Sequence, residues 1–140
     1  MSVVLDANLL VVLALDDDRG PLVEAKLREW ETAGETLHAP ALMPYEAANA
    51  LTRAVAAGSL SADEINESWA IVTEVRVRLH PLDHGSEVIE MAQRLGRQSA
   101  YDAAYLVLAQ ALDAELWTLD GPLSRNANDA GLPVQLLERA

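Results

Sequence analysis

Apolar positions along this chain follow two rhythms that take turns. Short, nearly continuous apolar runs at 2-SVVL-5, 36-TLHAP-40, 115-ELWTLD-120 and 133-PVQLL-137 predict strands, and 79-LHPL-82 predicts a weak third strand in chain order. Longer stretches between them repeat at helical spacing. Residues 9–15 are apolar on nearly all sides and predict a buried helix, which ends at the acidic loop 16-DDDRGP-21. Pro21 then sits where a helix begins, with Leu22, Val23, Leu27 and Trp30 on one face and Gly34 closing it. Pro44 opens another helix, whose Ala47, Ala50, Leu51, Ala54 and Val55 share a face until Gly58. Ser61 and Glu64 have the spacing of a capping box, which starts a helix running to about Arg78. Helices over 86–96 and 100–113 and a short one within 122–131 complete the series.

Strands therefore alternate with helices from end to end. Each strand is apolar at almost every position, as expected when both faces are covered. The pattern predicts an α/β fold with a parallel central sheet and helices on both sides. No linker, repeat or low-complexity segment interrupts it, so residues 1–140 are expected to form a single domain.

Acidic residues recur where these apolar runs meet turns. Asp6 and Asp120 close two predicted strands, and Glu46 and Asp102 lie in the first turns of predicted helices. In an open α/β sheet, ligands bind at the carboxyl ends of strands. Right-handed crossovers return every strand in the same direction, so the four acids can converge there. Each also has a plainer reading. Asp6 can cap the following helix, Glu46 can favour a helix dipole, Asp120 can make a turn before Gly-Pro, and Asp102 can form an S-x-x-D box with Ser99 as N-cap. Capping and catalysis are compatible, because a helix N-terminus also fixes a carboxylate. Taken together, four carboxylates near one point would raise one another's pKa values, and a divalent cation removes that strain. An all-oxygen set favours Mg²⁺ or Mn²⁺, which can polarise a phosphodiester and activate a bound water.

Charge and composition change the picture in two ways. The chain has no Cys, which excludes disulfides, thiolate metal sites and a Cys nucleophile. Its net charge is −12, with ten Lys and Arg, which argues against a broad nucleic-acid surface and suits a cation or a basic protein partner. The N-terminal run lacks a basic leader and carries Asp6 in its middle, so it does not read as a signal peptide. No run reaches the roughly 18 uncharged residues of a membrane span. A cytoplasmic protein with no membrane partner is the expectation. His38, His80 and His84 are scattered without paired metal spacing, and structural or solvent-facing roles are expected of the latter two. Trp30, Trp69 and Trp117 are expected in the core or at an interface, and the 16-DDD-18 triplet in solvent.

Asp6 with Asn8 in 3-VVLDANLL-10, Glu46 in 44-PYEAANAL-51, Asp102 in 99-SAYDAAYLVLA-109 and Asp120 in 117-WTLD-120 resemble the motif set of PIN-domain ribonucleases. The resemblance spans essentially the whole chain and is strongest to VapC-type toxins of bacterial and archaeal toxin–antitoxin pairs. It implies a three-layer α/β/α sandwich with a mostly parallel sheet, and Mg²⁺- or Mn²⁺-dependent endonucleolytic cleavage of RNA. It implies Asp6 and Asp102 as direct metal ligands, Asp120 as a further ligand and Glu46 as a ligand or the residue that positions the attacking water. Asn8 and Thr118 would orient these carboxylates. A homodimer and a small antitoxin with a basic segment are the implied partners. Two departures stand out. The chain is unusually acidic for an RNA-binding protein, and 121-GPLSRNAND-129 lacks a basic residue directly after Asp120, where Arg125 and Asn126 are the nearest substitutes. Arg53, Arg97 and Arg125 are the candidate RNA contacts.

Two other functions fit parts of the pattern. A non-catalytic acidic α/β module that grips a basic protein would explain the charge. A phosphoryl-transfer domain would also use an Asp at a strand end, but the first motif is D-A-N rather than D-x-D, and no Lys follows Lys26.

Overall fold

The chain opens with a buried strand, β1 (Ser2–Leu5), that becomes the middle of a five-stranded sheet. The structure is a computed structural model and describes residues 1–96 and 99–138. After β1 come α1 (Ala7–Ala14), α2 (Gly20–Thr32), β2 (Thr36–Pro40), α3 (Met43–Ala56), a single 3-10 turn (Ala62–Glu64), α4 (Ile65–Glu74) and β3 (Arg78–His80). The second half contributes α5 (Gly85–Arg94), α6 (Tyr101–Ala111), β4 (Glu115–Thr118), α7 (Gly121–Asp129) and β5 (Val134–Leu136).

The strand order is β3-β2-β1-β4-β5, and every neighbouring pair is parallel. The chain thus winds outward from β1 through β2 to β3, then crosses back to place β4 on the other side of β1. With right-handed crossovers, reversing the direction of winding also changes the face on which the connecting helices lie. The packing follows suit. Helices α1 to α4 contact one another, whereas α5 packs on α6, and α6 lies across β1, β2 and β4. The result is a three-layer α/β/α sandwich, and the reversal leaves a crevice at the carboxyl ends of β1 and β4.

Sequence chemistry explains most of the element ends. Proline occupies the first turn of α2, α3 and α7, where its missing N–H costs no helical bond. Gly34 and Gly58 follow α2 and α3 with φ of 73° and 80°, a left-handed conformation that spares glycine the Cβ clash. The capping box at Ser61 and Glu64 is formed.

Two sequence expectations need correction. The fourth helix was expected to reach about Arg78, but α4 ends at Glu74, and Val75 is already extended at ψ 122°. Its continuation, 75-VRVR-78, alternates β-branched and charged residues, and Val75 and Val77 pack against the core. Alternation of this kind suits an extended chain better than a helix. The weak third strand is accordingly displaced to Arg78–His80, and Pro81, lacking an N–H, ends the pairing. The second correction concerns the helix over 100–113. Its N-cap is Ala100, with no side-chain cap, and the Ser99 hydroxyl accepts the Tyr101 N–H at 3.3 Å instead.

The core is one cluster that runs from Val3 to Leu137 and takes residues from both helical layers. Leu5, Leu9, Leu10, Tyr105, Leu106 and Leu116 are among its most buried members.

Candidate active site

Asp6 is the first residue after β1 and the N-cap of α1, and its Oδ1 accepts the Asn8 N–H at 3.3 Å. Its own N–H donates to the Trp117 carbonyl at 3.0 Å, which carries the β1–β4 pairing one step past the strand end. Asp120 mirrors it after β4, capping α7 by accepting the Leu123 N–H at 3.1 Å. Both acids therefore cap helices and face the same crevice end of adjacent strands.

Thr118 joins the two. It is fully buried, and its hydroxyl donates to Asp6 Oδ2 at 2.9 Å. The same oxygen accepts from Asn8 Nδ2 at 3.2 Å and from the Asp120 N–H at 3.0 Å. One donated and two accepted bonds exhaust what a hydroxyl can make. Asn8 Oδ1 in turn accepts the Leu119 N–H at 3.2 Å. Asp6, Asn8, Thr118 and Asp120 are thus one hydrogen-bonded network across a sequence separation of more than a hundred residues.

Glu46 enters from the first turn of α3 and Asp102 from the first turn of α6. Both carboxylates act electrostatically on Asp6, and Asp102 also acts on Glu46. Burial pushes the Asp6 carboxyl from 3.8 up to about 7, against the hydrogen bonds from Thr118 and Asn8, with smaller upward pushes from Glu46 and Asp102. Burial also raises Glu46, opposed by a hydrogen bond from Tyr105 and reinforced by Asp102. Asp6, Glu46 and Asp102 are therefore brought together, and Asp120 is tied to Asp6 through Thr118. Among the described residues, no group of three or more His, Asp or Glu side chains is set to hold a metal ion as it stands.

Tyr105 belongs to this site, and the sequence reading passed over it. It lies three positions after Asp102, on the same face of α6. Its hydroxyl donates to Glu46 Oε1 at 2.6 Å, while the ring is buried in the core. Burial, Asp6 and Glu46 all raise its pKa, so it remains a donor. The usable signal was in 101-YDAAY-105: a tyrosine on a buried stripe needs a partner for its hydroxyl.

The basic candidates are placed unevenly. Arg125 reaches back over Gly121, where an added Cβ would meet its guanidinium at 3.1 Å, so its charge lies beside the residue that follows Asp120. Arg53 is exposed in the last turn of α3, roughly 10 Å along the axis from Glu46. Arg97 lies outside the described residues. Asn126 donates instead to the Leu95 carbonyl at 3.0 Å.

Two histidines are not scattered in space. His38 Nδ1 and His80 Nε2 share a hydrogen bond of 2.8 Å between β2 and β3, and His38 Nε2 pairs with the Thr36 hydroxyl at 2.9 Å. Burial, His80 and Arg78 lower the His38 pKa. Trp30 is buried, edge-on to Trp117, with Lys26 over the Trp117 ring at 4.2 Å. In the acidic loop, Asp17 accepts from the Arg19 side chain at 3.0 Å.

Comparison with known proteins follows the same outline. Residues 3–129 match the PIN domain family model. The chain is 29 % identical over 131 residues to Ribonuclease VapC3 of Pyrobaculum aerophilum, covering 89 % of this chain and 93 % of that protein. It is 32 % identical over 124 residues to Ribonuclease VapC12 of Mycobacterium tuberculosis, covering 89 % and 91 % respectively. Its fold superposes on the crystal structure of PAE2754 from Pyrobaculum aerophilum with a TM-score of 0.65 at 23 % identity, over 90 % of this chain and 87 % of that one.

Proposed function

The chain belongs to the PIN-domain family, among VapC-type proteins, and from that premise we propose that it is a divalent-metal-dependent endoribonuclease, the toxin of a toxin–antitoxin pair. The observation that carries this reading is the coupled set of Asp6, Glu46 and Asp102, in which the Asp6 carboxyl is driven up to about 7. Such a set holds protons tightly when bare and exchanges them for a cation. The donor chemistry fits Mg²⁺ or Mn²⁺, because every available group is an oxygen. Asp6, Asp102 and Asp120 would hold the ion, closing on it from their present positions. When bound, the metal would polarise the scissile phosphate and make its water a stronger nucleophile.

The remaining work falls to side chains of this chain. Glu46, fixed by Tyr105, orients the attacking water and takes its proton, a task for which a raised carboxylate is suited. Thr118 and Asn8 keep Asp6 from rotating away. Arg125 offers a cation beside Asp120 for the substrate phosphate. A small antitoxin with a basic segment fits an acidic site of this kind, and the names of the VapC relatives support it. We place the protein in the cytoplasm as a homodimeric single domain. No helix among the described residues is long and apolar enough to cross a membrane.

The test is cleavage of single-stranded RNA with Mg²⁺ or Mn²⁺. Wild type should cut, EDTA should stop it, and Asp102→Asn should lose at least about a hundredfold while unfolding at a similar temperature. Normal cleavage by Asp102→Asn would remove the site assignment. The −12 charge favours a second reading, an acidic module that binds a basic protein without catalysis. Absence of RNA cleavage with either metal, together with copurification of a small basic protein, would select it.

A further inference from the structure

The hydrogen bonds around His38 fix where every proton on them lies. The Thr36 hydroxyl donates to the Met1 carbonyl at 3.2 Å. A hydroxyl has one proton, so the Ser2 hydroxyl at 3.3 Å and His38 Nε2 at 2.9 Å must both donate to Thr36. With Nε2 protonated, neutral His38 has only a lone pair on Nδ1. His80 Nε2, 2.8 Å away, is therefore the donor in that bond. One chain of donors thus runs from His80 through His38 and Thr36 to Met1, and crosses from β3 into β2.

This link carries weight because β3 has little else. It is a three-residue edge strand, with Arg78 and Leu79 exposed and Pro81 ending the pairing. Past its end, the Ala41 N–H donates to the His80 carbonyl at 2.8 Å. His80 and the Pro81 to His84 stretch then form one wall of a groove of about 410 Å³. Whatever loosens His80 therefore loosens that wall.

We infer that the His38–His80 pair is a proton-sensitive latch: neutral or singly charged it ties β3 and the groove wall to the sheet, and charging both rings releases them. The arithmetic of ring protons gives this behaviour. A first proton can settle on His80 Nδ1 and leave the bond to His38 in place, now strengthened by the charge. A second must go to His38 Nδ1, which turns an N–H on each ring toward the other at bonding distance, between two cations. His38 is buried, so its charge would also be poorly solvated. Nothing nearby relieves it. Burial, then His80 and Arg78, hold His38 below the ordinary histidine value of 6.5. On the β1 side, its partner in register is the apolar Val4. The titratable groups lining the groove with His80 are Asp83, His84 and Tyr101, and none of them is among the groups acting on His38. Beyond Thr36, the Met1 amine lies 3.8 Å from Glu35. Because His38 resists its proton when folded, the latch is closed at neutral pH and is lost as pH falls below the histidine range.

The test is NMR on the full chain labelled with ¹⁵N. At pH 7.5, a scalar coupling should connect His38 Nδ1 and His80 Nε2 across their shared proton, with His38 protonated at Nε2. As pH falls to 5, that coupling should vanish, and protection of the Ala41 amide from hydrogen exchange should drop about tenfold while amides of β1 and β4 stay protected. His80→Ala should show the low protection already at pH 7.5. His80→Gln, whose amide can donate to His38 but carries no charge, should keep Ala41 protected down to pH 5. Absence of the coupling at pH 7.5, or protection of Ala41 that does not change with pH, would overturn the latch. So would an acid loss that His80→Gln shares, or one that spreads to β1 and β4, since either would be general acid unfolding.

Discussion

At the scale of single residues, the position of Asp6 carries a cost that can be measured. Its carboxyl sits at 3.8 in an unfolded chain and about 7 in the folded one. Between those values the folded protein keeps a proton that the unfolded chain has lost. Raising the pH through this window therefore favours unfolding, and the effect levels off above about pH 7. In EDTA, denaturant titrations should show wild-type stability falling relative to Asp6→Asn from about pH 4 to about pH 7 and running parallel to it beyond. Adding Mn²⁺ at pH 7.5 should restore stability to wild type and give little to the variant, because a cation replaces the missing proton. Parallel curves at all pH values would mean that Asp6 is not strained. Little of this could be read from the sequence. The D-A-N motif marked Asp6 and Asn8 as candidates, but the bond from Thr118 spans 112 positions and depends on β4 lying next to β1.

At the scale of elements, the clearest dependence is between α1 and α4. The Ser68 hydroxyl, buried on α4, donates to the Ala14 carbonyl at 3.1 Å. Ala14 is the last residue of α1, where carbonyls lack helical partners. Ser68→Ala should destabilise the fold by about 1 kcal/mol in chemical denaturation, with RNA cleavage per folded molecule unchanged. Unaltered stability would show that the Ala14 carbonyl needs no such donor. Helix starts were the most legible elements in the sequence, because proline and the capping box act through neighbours only. The boundary at Glu74 was less so. Residues 65–78 are compatible with helical spacing, but Arg78 is claimed by the sheet edge beside β2, a contact that local pattern does not reveal, and Val75 to Val77 lead into it. For the same reason His38 and His80 looked unrelated until β2 and β3 were paired.

At the scale of the whole molecule, the fold class was legible because alternation of short apolar runs and amphipathic helices leaves few arrangements. The strand order was not. Convergence of the acids follows from β1 and β4 being neighbours at the reversal of winding, and nothing local in 3-VVLDANLL-10 or 117-WTLD-120 announces that. Net charge is likewise a property of the whole, and it makes a quantitative demand on how RNA is held. Each phosphate neutralised by a cation on a single strand contributes about −0.7 to the slope of log affinity against log salt. Arg53, Arg97 and Arg125 are the candidates for such contacts, and three contacts give a slope of about −2. Repulsion between RNA and a protein of charge −12 flattens it further, because salt screens that repulsion too. At fixed Mn²⁺, KM for a single-stranded RNA should therefore rise only modestly between low and physiological NaCl. A steep rise would mean that an unrecognised basic surface carries the substrate. Binding of a small basic protein to the same acidic face should show the opposite behaviour, tight at low salt and falling sharply as salt increases, because there both partners contribute charge of opposite sign.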